Sequence, residues 1–182
     1  MPASVDDPKY YALAENAVNI VFGNDIDPDI HTRVKAFMKT LEESPFPGYV
    51  ESVPSYVGVT VFFDYMKVHK SMNKNGSPSE HVLEQLQKKI ESMSDWTDRK
   101  EETKTVTIPV CYDQEFGPDL RHVAEENKLT EEEVIRLHTN GDYLVYMMGF
   151  APGFPFIGGM PKEIATPEEV SLVRRSPPGV SE

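Results

Sequence analysis

The sequence predicts an α+β protein built in two parts, and three features carry that reading. Over residues 1–95, short β-prone runs alternate with helical stripes, the pattern of a small α/β domain. Its helices are expected on one face of a mostly antiparallel sheet. A charged stretch, SDWTDRKEET at 94–103, marks the boundary, with the linker drawn over residues 96–103. Residues 104–182 then open on a strand pattern, pass through two short helices and reach an apolar run broken by glycine and proline, VYMMGFAPGFPFIGGMP at 145–161.

The first part begins with Tyr10 to Phe22, where Val18, Ile20 and Phe22 fall at every second position and AEN interrupts as a turn. That spacing gives a hairpin of two short strands, not a helix. Asp27-Pro28 then opens a helix, aspartate as N-cap and proline at the first position. Ile30, Val34, Phe37, Met38 and Leu41 form its apolar stripe, and Pro45 ends it by forcing Ser44 out of helical geometry. His31 falls off that stripe, so a solvated surface histidine is expected. PFPG at 45–48 is a rigid turn into a strand at Tyr49–Val53, and Pro54 makes that strand an edge or a bulge. Val57 to Phe63 is a strongly β-prone partner, and Tyr65 to Met72 with NKNGSPS reads as a connection. A helix starting at Pro78 or Ser79 buries Val82, Leu83, Leu86, Ile90 and Met93, with Glu80, Glu84, Lys88 and Lys89 on its solvated face. Trp96, in the charged stretch, is expected to be anchored on one of the two domains, since large aromatics are mostly buried.

In the second part, Val106, Ile108 and Val110 alternate with Thr105, Thr107 and Pro109, predicting a strand over Lys104–Tyr112 with one apolar face. Cys111 lies beside that face without a cluster of histidine or acidic residues, so a buried structural thiol is expected. Gly117-Pro118-Asp119 leads into a helix that turns Leu120, Val123 and Ala124 inward. Thr130 and Glu133 have capping-box spacing for the next helix, which Asn140-Gly141 terminates. Tyr143 to Met148 is a strand, and the run after it cannot be helical, with Pro152, Pro155 and Pro161 among its glycines.

The totals limit the function classes. The chain has 182 residues, 39% hydrophobic and 26% charged, ordinary values for a globular protein with a core. A net charge of −12 argues against nucleic acid and against an anionic membrane as partners. One cysteine excludes an internal disulfide, and the start, MPASVDDPKYY, lacks the basic and apolar regions of a secretory signal. A cytoplasmic location follows as an expectation. No phosphate-binding loop, GxGxxG, HExxH or CxxC is present. The acidic Glu131, Glu132 and Glu133 suit a helix N-terminus and call for no metal.

Two candidate sites remain. His138, paired with Asp142 or Asp119, has the makings of a base and its orienter, although a histidine at a helix end also caps carbonyls and favours the dipole. The aromatic run is the stronger candidate, read as a closely packed, non-repetitive loop whose rings are buried or line a cavity. Its glycines let backbone amides approach a ligand, and its phenylalanines supply an apolar wall. Phe150, Pro152, Gly153, Phe154, Phe156, Gly158 and Gly159 would line a pocket for a substrate or partner. Tyr143 and Tyr146 are further candidates, with a core position expected for one of them. The same run also suits a structural corner of a β-barrel.

GFAPGFPFIGGMP, preceded by HTNGDYLVYM and followed by IATP, resembles the signature of the family that holds the B subunit of prokaryotic 5-oxoprolinase. Other labels for that family are allophanate hydrolase subunit 1 and the sporulation kinase inhibitor KipI. The likeness extends back through IPVCYDQEFGPDL to PFPGYVESVPSYVGVTVFFD and is greatest to the Bacillus-type KipI protein. It implies a cyclophilin-like β-barrel for the second part, with a groove for a small cyclic amide or an extended peptide. It also implies conversion of 5-oxo-L-proline to L-glutamate in a complex with the C and A subunits of 5-oxoprolinase. ATP is used by that complex, and no cofactor is expected on this chain. The other role implied is non-enzymatic, inhibition of a sporulation histidine kinase. After IATP the family pattern is a VPAGS-type segment and further barrel strands, whereas this chain reads EEVSLVRRSPPGVSE to Glu182. The expectation is a truncated or frameshifted product, its barrel incomplete and its strand edges exposed.

Overall fold

Glu15 and Asn16 close a hairpin between β1 (Lys9–Ala14) and β2 (Ala17–Val21), the first antiparallel pair of the chain. The computed structural model describes residues 7–72, 76–93, 96, 104–149 and 151–167. The chain divides into two units, Met1–Glu102 and Thr103–Glu182.

In the first unit, β2 pairs with β4 (Gly58–Phe63), and β4 pairs with β3 (Tyr49–Pro54), giving the antiparallel order β1-β2-β4-β3. The edge position of β3 explains Pro54, because a missing N–H there removes no necessary ladder bond. Ile20 sits opposite Tyr10 and Val59, and Val18 opposite Ala12 and Val61, so strand alternation places Val18, Ile20, Val59, Val61 and Phe63 on one face. Helices α1 (Pro28–Glu43) and α3 (Pro78–Ser92) pack on the sheet. Phe22, Val34, Phe37, Leu41, Val82 and Leu86 are fully buried with those strand residues. Each such side chain contributes about 1.5–3 kcal/mol through removal from water. The oxygen of Asp27 accepts from the Asp29 amide, the cap that the Asp-Pro pair predicts. Trp96 meets Phe22 edge-on at 5.7 Å, and the Arg33 guanidinium lies 4.8 Å from its ring centre, so Trp96 is anchored on the first unit.

Two expectations for this unit are corrected. Tyr65–Ser71 is a helix, α2, not a connection; Asp64 caps it by accepting from the Lys67 amide, and Val68 is its buried residue. Seven residues with one buried position are too few to show a helical period. His31 is buried, at 8% exposure, not solvated. The buried face of α1 is wider than the stripe, taking in Ala36 as well as His31. Burial, with Lys35 nearby adding to it, holds the His31 ring below its usual titration range.

The second unit holds α4 (Leu120–Glu126), α5 (Glu131–Thr139), β5 (Leu144–Met148), β6 (Pro155–Gly158) and a 3-10 turn, Lys162–Ile164. Its helices close on a small cluster of Ala124, Val134 and Ile164, flanked by Leu120, Val123, Leu129 and Leu137. The capping box is present in both directions: Thr130 Oγ1 accepts from the Glu133 amide, and the Glu133 carboxylate accepts from the Thr130 amide. Those bonds from Thr130 hold the Glu133 carboxyl below its ordinary range.

Lys104–Tyr112 corrects a further expectation. The segment forms no strand, and Val106, Ile108 and Val110 are exposed at 63%, 67% and 52%. The alternation is there, but a strand exists only when a second one pairs with it, and none of the described residues does so. Cys111, on the same segment, is exposed rather than buried. It lies 3.6 Å from an Asp113 carboxylate oxygen. Among the described residues no helix is long and apolar enough to cross a membrane.

Candidate functional site

The aromatic run is a hairpin, which corrects its reading as a non-repetitive loop. β5 and β6 pair antiparallel, Leu144 opposite Gly158 and Val145 opposite Ile157, with the register shifting between Val145 and Met147. The turn is closed by the Gly149 amide donating to the Phe154 carbonyl and by the Phe154 amide donating to that of Ala151. Prolines did not prevent pairing, because Pro155 stands at the first residue of its strand.

The sequence-predicted residues separate along this hairpin. Pro152 and Gly153 are exposed in the turn, while Phe154 and Phe156 are half-buried and meet edge-to-face at 5.7 Å. Phe150 lies outside the described residues. At the base of the hairpin, Gly159 has φ of 110°, and a Cβ there would stand 2.6 Å from the Asp142 carbonyl. Only glycine fits both constraints. The backbone at Gly159 is thereby brought against Asp142, a short step along the chain from His138, while Gly158 lies against the Tyr146 ring. Of the two tyrosines, Tyr146 is core, at 6% exposure, and Tyr143 faces outward.

His138, in the last turn of α5, stands between two tyrosines. Tyr112 Oη is 2.5 Å from its Nδ1, with the rings edge-to-face at 5.8 Å. On the other side, the Tyr143 ring is tilted at 5.5 Å, and Tyr143 Oη donates to the His138 carbonyl at 2.7 Å. That ring occupies the space where a Cβ on Gly141 would stand, 2.8 Å away, so the Asn140-Gly141 helix end also makes room for Tyr143. Desolvation, with Tyr143 adding to it, pushes the Tyr112 phenol up, and desolvation does the same to Tyr143. Both therefore remain protonated at neutral pH.

The partner of Nδ1 is thus Tyr112, not the Asp142 or Asp119 that spacing offered. Sequence reasoning missed this residue because 26 positions, with the whole of α4 and most of α5, separate it from His138. The HTNGDY string places only Tyr143 just past the helical histidine and gives no signal for Tyr112. Among the described residues no group of three or more His, Cys, Asp and Glu is gathered as a metal site.

Comparison with known proteins places the chain in a family. The model for the carboxyltransferase domain, subdomain C and D, matches residues 8–180. The chain belongs to that family. It is 44% identical over 160 residues to the B subunit of 5-oxoprolinase from Bacillus subtilis, and 29% identical over 161 residues to that of Escherichia coli O157:H7. The alignments cover 87% and 86% of this chain but 66% of either relative, so the chain spans slightly less than two thirds of their length. The resemblance carried by the sequence motif, to the 5-oxoprolinase B subunits and their Bacillus form, is that of these relatives. Among solved structures, TTHA0988 is similar at a TM-score of 0.64 and 30% identity, over 85% of this chain and 28% of the other. The urea amidolyase of K. lactis shares the fold at a TM-score of 0.50 and 15% identity, over 82% of this chain and 10% of its own.

Proposed function

We propose that this chain supplies the B-subunit part of a heteromeric 5-oxoprolinase, opening 5-oxo-L-proline to L-glutamate with the C and A subunits. The observation that carries the reading is the 44% identity to the Bacillus subtilis protein, sustained over 87% of this chain. Lactam hydrolysis requires a stable amide carbonyl to be activated, and ATP consumption by the complex meets that need. The sequence has no phosphate-binding loop, so ATP handling falls to another member of the complex, in the cytoplasm. Within this chain, the second unit is read as part of a cyclophilin-like barrel. His138 and the backbone of the β5–β6 hairpin, from Ala151 to Gly159, form the substrate- or partner-facing side. His138 contributes a polar group there, and Phe154 and Phe156 contribute apolar surface.

The test is reconstitution. The purified chain combined with the C and A subunits, ATP and 5-oxo-L-proline is expected to release glutamate, and omission of this chain is expected to abolish release. A complex that assembles and yields no glutamate would overturn the enzymatic reading. If the chain then lowered autophosphorylation of a sporulation histidine kinase in a dose-dependent way, the inhibitor role would take its place.

A further inference from the structure

We propose that His138 acts as a hydrogen-bond donor through Nε2–H to a carbonyl oxygen of the bound lactam, and that Tyr112 is the positioning residue that fixes this tautomer. The inference rests on the reading of the second unit as the lactam-facing part of the enzyme.

The argument begins with hydrogen counting. A phenol has one hydrogen to donate, and among the described residues the acceptor within reach of Tyr112 Oη is His138 Nδ1. A ring nitrogen that accepts carries no hydrogen, so in the neutral imidazole the hydrogen resides on Nε2. No hydrogen bond among the described residues reaches Nε2, and His138 is only half-buried, so this N–H is available to a ligand. The ring is not free to turn away. Tyr112 holds one edge, Tyr143 lies against it, and the Tyr143 hydroxyl ties down the helix end by bonding the His138 carbonyl.

This arrangement differs in consequence from a histidine oriented by a carboxylate. A carboxylate accepts from Nδ1–H and leaves a lone pair on Nε2, the form that removes a proton. A phenol donating to Nδ1 leaves a hydrogen on Nε2, the form that polarises a carbonyl. Negative charge grows on a lactam oxygen when its carbon is attacked, and a donor fixed in advance stabilises that charge without reorganising. No bond to His138 is made or broken, and it neither gains nor loses a proton.

The experiment is nitrogen-15 NMR of histidine in the 182-residue chain. The wild-type protein at neutral pH is expected to show His138 with Nε2 protonated and Nδ1 bare. In Tyr112→Phe, which keeps the ring and removes the hydroxyl, the resonances are expected to move toward a mixture of tautomers. Titration of the assembled complex with 5-oxo-L-proline is expected to shift the Nε2 proton downfield in the wild type, with loss of that shift in Tyr112→Phe. An Nδ1–H tautomer in the wild-type protein overturns the proposal and needs no variant to fold. An Nε2 resonance unmoved by 5-oxo-L-proline, in a complex that does release glutamate, overturns the ligand role while the enzymatic reading stands. Absence of glutamate release overturns the lactam as ligand, and the substrate-free tautomer separates that failure from one of geometry.

Discussion

The two units use similar sequence patterns to different ends. In the first, the alternation Val18, Ile20, Phe22 faces two amphipathic helices and becomes a core reaching zero exposure. In the second, the alternation Val106, Ile108, Val110 is equally regular and lies in water, as do Val145 and Ile157 across the β5–β6 ladder. Its buried apolar cluster is confined, among the described residues, to Ala124, Val134 and Ile164. An apolar period states which face is available for burial; a second layer decides whether burial happens.

The largest test of that contrast is Phe37→Ala. Phe37 is fully buried and meets Phe22 edge-on at 5.6 Å, so the variant is expected to lose about 3–5 kcal/mol of first-unit stability. The single tryptophan, Trp96, packs on Phe22 and makes denaturation by fluorescence a report on that unit. A loss below about 1 kcal/mol would mean the first unit is not the packed one.

Thr130→Ala examines the second unit where it is well made. Removing the capping hydroxyl is expected to cost about 1 kcal/mol and to raise amide exchange through the first turn of α5. Unchanged exchange there would contradict the capping box.

His31 sharpens the comparison through pH. Its folded-state titration lies below the unfolded value of 6.5, so the unfolded chain binds the proton more readily. The associated stability is complete above about pH 6.5 and is lost as pH falls toward the lowered folded value. His31→Leu is expected to flatten that part of the fluorescence-monitored stability profile. An identical slope in the variant would assign the effect to other groups.

The smallest effect is expected at Ile108→Thr. An isoleucine 67% exposed has little burial to lose, so stability is expected to change by no more than about 0.5 kcal/mol. A loss above about 2 kcal/mol would show that this segment is covered in solution, and the contrast between the units would fail.

What the sequence determined by itself was local. Asp27-Pro28, Thr130 with Glu133, and Asn140-Gly141 set helix ends because a cap and its acceptor lie within one turn of each other. The first hairpin and the edge position of β3 followed from strand alternation and from Pro54. The family too was legible, since the glycine- and proline-broken motif is long and unusual in composition. Tertiary structure decided the remainder. Burial of His31 depends on how wide a face of α1 the rest of the first unit covers, and exposure of Cys111 depends on whether its segment finds a partner. The aromatic run pairs as a hairpin because Pro155 falls at a strand's first residue, a matter of register. Tyr112 on His138 Nδ1 joins residues whose proximity no period or motif encodes, because it is created only when the chain preceding α4 returns to the end of α5.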